Sequence, residues 1–329
     1  MTPAIIGVSG PDLTVAERAL LLAHPPAGVI LFARNIETPP RLASLVAALR
    51  AVLPADAALM LDQEGGRVAR LRPPHWRAHP PAAVIGALWS ADPAAATRAA
   101  FVHGALIGAE AAAAGFGIVT APVLDLAVPG ASEVIGDRAF GPDPDQVARL
   151  GRAMAEGLLA AGVIPVMKHL PGHGRATADS HLTLPSVAAP SEADLRPFAL
   201  NADLPWAMTA HIRYPGWDRA LPATLSPTII RDVIRGHIGF QGVLVTDDLA
   251  MGALAAPPAA SAIAALAAGA DLALYCAADA ATNAAVLAAC PPMRPETTAR
   301  MDAARARARA ARRALDPDAL AAERDRLLA

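Results

Sequence analysis

Eight short, almost uninterrupted apolar runs recur along this chain, each followed by a helical pattern. That alternation restricts the fold more than any other feature. The runs are Ala4–Val8, Gly28–Phe32, Ala57–Leu61, Gly117–Pro122, Val163–Met167, Trp206–His211, Gly242–Thr246 and Asp271–Tyr275. They do not alternate polar with apolar, as a half-solvated strand would, and so read as parallel strands covered on both faces. Helix signals sit between them. Ser226-Pro227 pairs a cap residue with a proline at the first helical position, Asp143 or Asp145 caps a helix through Leu159, and Gly162 stops it. Residues 92–114, 255–270 and 296–313 also read as helical. The expectation is an α/β fold, a single (β/α)8 TIM-type barrel formed by residues 1–329, with solvated helices at about 296–329. An open doubly wound sheet is the competing architecture. No strand is followed by GxGxxG or GxxxxGK[ST], so no nucleotide fingerprint favours it.

A barrel of this kind carries its chemistry where strands end and loops begin, and polar residues gather at those points. Asp62-Gln63-Glu64-Gly65-Gly66-Arg67 follows the third run, Asp125 and then Gly136-Asp137-Arg138 the fourth, and Lys168-His169 the fifth. The sixth run ends at His211 and the seventh at Asp247-Asp248. The densest stretch is Val166–Leu184, in which Pro171-Gly172-His173-Gly174 enforces a loop that closes on Asp179-Ser180-His181.

Each constellation has a chemical and a bland reading. Neighbouring strand residues face opposite ways, so only one of Asp247 and Asp248 faces the barrel axis as a nucleophile or base; the other caps or is solvated. Asp179 and His181, one residue apart, lie on the same side of an extended segment. The carboxylate then fixes the imidazole tautomer for general acid catalysis, or makes only a local turn bond. His169 and His173 stand four apart, but Pro171 and the flanking glycines forbid the helix that such a metal pair requires. In the segment from Asp62 to Arg70, the acid and the arginines Arg67 and Arg70 either grip hydroxyl groups or salt-bridge a turn. Arg138 is expected to pair with Asp137 or Asp125.

Composition narrows the function classes. A net charge of −2 and a pI near 6.5 offer nothing to nucleic acid or to an anionic membrane. Two cysteines, Cys276 and Cys290, make no disulfide framework and are expected as buried thiols. The N-terminal segment lacks the features of a signal peptide, and no run reaches the ~18 apolar residues that span a bilayer. A reducing, cytoplasmic setting is expected, with a small-molecule substrate, no cofactor and no metal. Oligomeric state is not legible.

Taken together, the motifs resemble family 3 glycoside hydrolases, in particular the bacterial single-domain β-N-acetylhexosaminidases. The stretches carrying the resemblance are ILFARN, LDQEGGRVARLR, APVLDL, VIGDRAF, KHLPGHG, ADSH and VTDDLAMGAL, in order from about residue 28 to 254. Gln63, Leu170 and Gly252 stand where that pattern more often has histidine, phenylalanine and glutamate. The resemblance implies a retaining hydrolase of terminal β-linked N-acetylglucosamine, with Asp247 as nucleophile, His181 as acid/base and Asp179 orienting it. Asp62, Arg70, Arg138, Lys168 and His169 would hold the sugar. It also implies cell-wall fragments as the substrate, an N-acetylglucosamine-containing muropeptide or disaccharide. Rival expectations are phosphorolysis, another sugar specificity, attack by the substrate's own acetamido group, and a binding barrel without activity.

Overall fold

A computed structural model describes every residue except Ala189. Eight parallel strands close into a barrel in sequence order, so the expected architecture is the one found. They are β1 (Thr2–Gly7), β2 (Pro26–Leu31), β3 (Ala58–Leu61), β4 (Ile118–Val119), β5 (Ile164–Leu170), β6 (Trp206–Thr209), β7 (Val243–Asp248) and β8 (Leu272–Tyr275). β1 pairs with β8 through Ile5 and Leu274, which completes the ring.

The continuous apolar runs have a direct cause in this ring. Ile5, Ile30, Met60, Ile118, Val166, Met208, Val245 and Leu274 pack together inside it. The alternate residues, among them Ile6, Leu31, Leu59, Val119, Met167, Leu244 and Ala273, pack outward against the helices. Both faces of each strand are therefore dry. β4 is shorter than the run that announced it, because only Ile118 and Val119 join the ladders on both sides.

The helix signals act as expected. Asp143 Oδ1 accepts from Gln146 N at 2.7 Å and starts Pro144–Ala160, and Gly162 ends that segment with φ +81°. Ser226 Oγ accepts from Ile229 N at 3.1 Å, although the segment Ile229–His237 winds as a π-helix. Pro93–Ala113 and Pro144–Ala160 cross at two glycines. A Cβ on Gly104 would lie 2.1 Å from Met154 O, and one on Gly157 2.2 Å from Phe101 O.

The helices toward residue 329, expected to be solvated, are only partly so. Pro295–Ala311 exposes Arg309 and half-buries Arg300, Arg305 and Arg307, and inserts Met301, Ala304 and Ala308 into the interior cluster at the N-terminal end of the barrel. Asp271, buried there, accepts from Arg235 Nη2 (2.7 Å), Arg300 Nη1 (2.8 Å) and Thr297 Oγ1 (2.8 Å). Spacing on one helix cannot reveal that a barrel mouth needs a plug. Cys276 and Cys290 are free and partly, not fully, buried. Among the described residues no helix is long and apolar enough to cross a membrane.

Candidate active site

At the C-terminal mouth the inward-facing series runs two residues further on six strands, and on four of them it turns polar. Ile30 gives way to Phe32, Met60 to Asp62, Ile118 to Thr120, Val166 to Lys168, Val245 to Asp247 and Leu274 to Cys276. Strand periodicity thus carries each inward register one step further, onto the wall of a cavity of about 390 Å³ lined by all six of the later residues. Of the eight residues named as candidates, Asp62, Arg70, Arg138, Lys168, His169, His181 and Asp247 line it. Asp179 stands behind, with Oδ1 2.8 Å from His181 Nδ1 and 2.8 Å from His181 N.

One wall is a charge network. Asp62 pairs with Arg70 Nη2 and accepts from Lys168 Nζ at 3.0 Å and from Thr120 Oγ1 at 2.5 Å. Glu64 takes the Arg138 guanidinium through two 2.8 Å bonds and Lys168 Nζ at 2.5 Å. Burial pushes both carboxyls up, but Lys168 and Arg70 for Asp62, and Arg138 and Lys168 for Glu64, hold them below the ordinary range. Arg138 therefore pairs with Glu64, not with Asp137 or Asp125 as expected; Asp137 instead meets Arg67 Nε at 3.1 Å. Arg67 also bonds the carbonyls of Glu133 and Val134 and stays outside the cavity, so the expected grip by two arginines reduces to Arg70. Asp62 and Glu64, on the one loop after β3, share Lys168, and sequence proximity does not say that Arg138 goes to Glu64.

The second wall is histidine-rich. Asp125, buried, accepts from His169 Nδ1 (2.6 Å) and His169 N (3.2 Å) and from His173 N (2.6 Å). His173 Nε2 lies 2.9 Å from Ser180 Oγ, and burial beside His169 lowers its pKa to about 4, so it is neutral near pH 7. The pairing of β5 with β6 slips between Met167 and Leu170, and the consecutive residues Lys168 and His169 both reach the cavity. Among the described residues there is no group of three or more His, Cys, Asp or Glu side chains placed to hold a metal ion.

Asp247 and Asp248 both line the cavity, although strand alternation was expected to turn only one of them inward, because the pairing of β7 with β8 slips between Val245 and Asp248; their contacts nevertheless differ. Asp247 continues the inward series. Its Oδ1 accepts from Asp248 N at 2.8 Å, and among the described residues no hydrogen bond engages its other oxygen. Burial raises its pKa, yet the His169 and His211 rings and Lys168 hold it below the usual range, so the carboxylate is ionised. Asp248 Oδ1 accepts from Ala250 N and Cys276 N, both at 2.9 Å, and burial raises its pKa. Below them His211 bridges Thr224 Oγ1 (2.7 Å) and the Asp248 carbonyl (3.0 Å). The cavity thus joins an ionised carboxylate on β7 to an imidazole whose far nitrogen is held by a carboxylate, an arrangement suited to nucleophilic and general acid/base catalysis.

Residues 7–309 match the glycosyl hydrolase family 3 N terminal domain. The chain belongs to glycosyl hydrolase family 3. Among family relatives, the beta-hexosaminidase of Alkalilimnicola ehrlichii is 42% identical over 282 residues, 83% of this chain and 80% of that protein. The beta-hexosaminidase of Aromatoleum aromaticum is 38% identical over 332 residues, 97% and 90% of the two chains. Among solved structures, NagZ from Neisseria gonorrhoeae in complex with N-trifluoroacetyl-D-glucosamine superposes with a TM-score of 0.88 at 31% identity, covering 100% of this chain and 98% of that one. This family 3 chain is accordingly a glycoside hydrolase.

Several residues that line the family 3 cavity or stand behind its lining did not stand out as site candidates. Glu64, Thr120, Asp125 and Ser180 lie inside or beside the recognised motifs but act through partners distant in sequence. Phe32 and Cys276 were signalled only by the inward register of β2 and β8.

Proposed function

We propose that this chain is a retaining exo-β-N-acetylglucosaminidase that removes terminal N-acetylglucosamine from cell-wall fragments in the cytoplasm. The observation that carries the reading is Asp247. It is an ionised carboxylate on the inner face of β7, in the same cavity as the Asp179-backed His181. Asp247 attacks the anomeric carbon while the His181 Nε2 proton passes to the departing glycosidic oxygen, so one C–O bond forms as another breaks. His181 then takes a proton from water, which attacks the same carbon and frees Asp247. Asp179 accepts from Nδ1, which fixes the tautomer and stabilises the imidazolium. Retaining glycosidases usually need a second carboxyl with a raised pKa. An imidazole, with an ordinary pKa of ~6.5, needs less tuning to donate and recover a proton near neutrality.

The Asp62–Lys168–Glu64–Arg138 wall supports binding of a polyhydroxylated ring, since fixed charges with little freedom to reorganise bond hydroxyls in a set orientation. A cavity of about 390 Å³, near the small end of ligand clefts, suits one terminal sugar. The named activities of the relatives, beta-hexosaminidases and a NagZ bound to an N-acylated glucosamine, support the choice of sugar.

A panel of chromogenic β-glycosides tests the reading. Wild type is expected to cleave the N-acetylglucosaminide in preference to the glucoside, Asp247→Ala to cleave neither, and a 2-fluoro glycoside to label the Asp247 peptide. Inactivation with that peptide unmodified would overturn the covalent step, and release of sugar 1-phosphate in phosphate buffer would replace hydrolysis with phosphorolysis.

A further inference from the structure

His181 belongs to the loop after β5 and Asp247 to the end of β7, so no single loop sets their separation. The two segments meet at Gly252. Gly252 N donates to His181 O at 3.0 Å and Ala253 N donates to Ser180 O at 3.2 Å, which makes a two-rung backbone ladder between the loops. A Cβ on Gly252 would stand 2.7 Å from Leu182 O and 2.9 Å from His181 O. Both are backbone atoms, which cannot rotate out of the way as a flexible side chain would. The φ of Gly252 lies outside the left-handed region, so it is space and not backbone strain that calls for glycine in this chain's own loop arrangement, at a position where the family pattern more often has glutamate. On its other side the His181 loop is tied through Ser180 Oγ to His173.

We infer that Gly252 is a positioning residue for the reaction: by letting the loop after β7 dock on the backbone of residues 180–182, it sets the height of the His181 imidazole over Asp247. This rests on the reading of His181 as the acid/base. The ladder joins the loop that carries the acid to the loop that directly follows the nucleophile's strand, and the fit leaves no room for a side-chain atom between them.

The separating experiment is a leaving-group series of aryl and alkyl N-acetyl-β-glucosaminides, with kcat/KM reporting only the first bond cleavage. A 2,4-dinitrophenolate departs without a proton, whereas an alkoxide does not. His181→Ala should lose roughly 10²–10⁴-fold on the alkyl substrate and far less on the dinitrophenyl one, the usual worth of a general acid. Gly252→Ala should show the same asymmetry, at least about ten-fold on the alkyl glycoside with dinitrophenyl cleavage within about two-fold, as a misplaced proton donor demands. Near-normal dinitrophenyl turnover also certifies the fold. Should Gly252→Ala fail to fold, an amide-to-ester exchange at residue 252 deletes the N–H without adding bulk and must give the same asymmetry. If His181→Ala shows it and the Gly252 variants lose nothing, or lose equally on both substrates, the positioning role is overturned while the acid/base reading stands. If His181→Ala itself shows no asymmetry, the acid/base reading falls and the positioning role falls with it.

Discussion

Lys168→Met tests the charge network most directly, because the substitution keeps most of the side-chain volume and removes one ammonium. Lys168 is 3% exposed, and its Nζ is held between Asp62 (3.0 Å) and Glu64 (2.5 Å), whose side chains are 18% and 7% exposed. Removing one partner from a buried ion pair leaves its counter-charge uncompensated and typically costs about 3–5 kcal/mol. Arg138 and Arg70 remain beside Glu64 and Asp62, which places the expected loss toward the lower figure. With an unfolding entropy of ~2.1 cal/mol/K per residue over 329 residues, about 3 kcal/mol lowers Tm by roughly 4 °C. The pH dependence fixes the cause. Asp62 and Glu64 have depressed folded pKa values, so their contribution is present above the ordinary carboxylate pKa and is lost as pH falls through the folded value. In the variant both carboxyls titrate higher and find relief by protonation sooner, so the gap to wild type should be widest near neutrality and narrow toward about pH 4. The raised pKa of Lys168 contributes stability that is complete at neutral pH and lost only in strong alkali. Calorimetry at several pH values measures both quantities. A Tm within about 1 °C of wild type at pH 7, or a gap that does not narrow on acidification, would refute the view that this wall is held by mutual charge compensation.

Two further outcomes follow from the same structure. His103 is fully buried with Nε2 3.0 Å from Glu64 O, and burial lowers its pKa to about 3, so the unfolded chain binds a proton that the folded chain refuses between roughly pH 6.5 and 3. Wild type should therefore lose stability on acidification through that window, and His103→Gln should reduce the slope by up to about 1.4 kcal/mol per pH unit; parallel slopes in urea melts would contradict it. Gly104→Ala should destabilise by about 1–3 kcal/mol even though alanine is the better helix former by ~1 kcal/mol, since the new methyl meets Met154 O at 2.1 Å. A stabilised variant would mean that the two helices separate more easily than their packing implies.

The order of the elements was legible in the chain because a parallel barrel dries both faces of every strand, and unbroken apolar runs are the direct imprint of that. Asp143, Gly162 and Ser226 marked helix ends through contacts within a few residues, where sequence and space coincide. Seven of the eight candidate residues line one cavity, and for Asp62, Lys168, His169 and Asp247 that placement was legible because strand ends are where such a barrel places chemistry. Pairing choices were not. Arg138 selects Glu64 across 74 positions instead of a nearer aspartate, and Asp125 takes His169 and His173 across 44 and 48. Those selections depend on which loops closure of the ring brings face to face, and many sequence distances are compatible with one spatial distance. The same holds for the plug that Met301, Ala304 and Ala308 drive into the N-terminal mouth, and for the contact of Gly252 with the His181 loop. Local sequence set the strands, the caps and the roster of reactive groups; only the closed barrel decided which charge compensates which, and which loop rests against which.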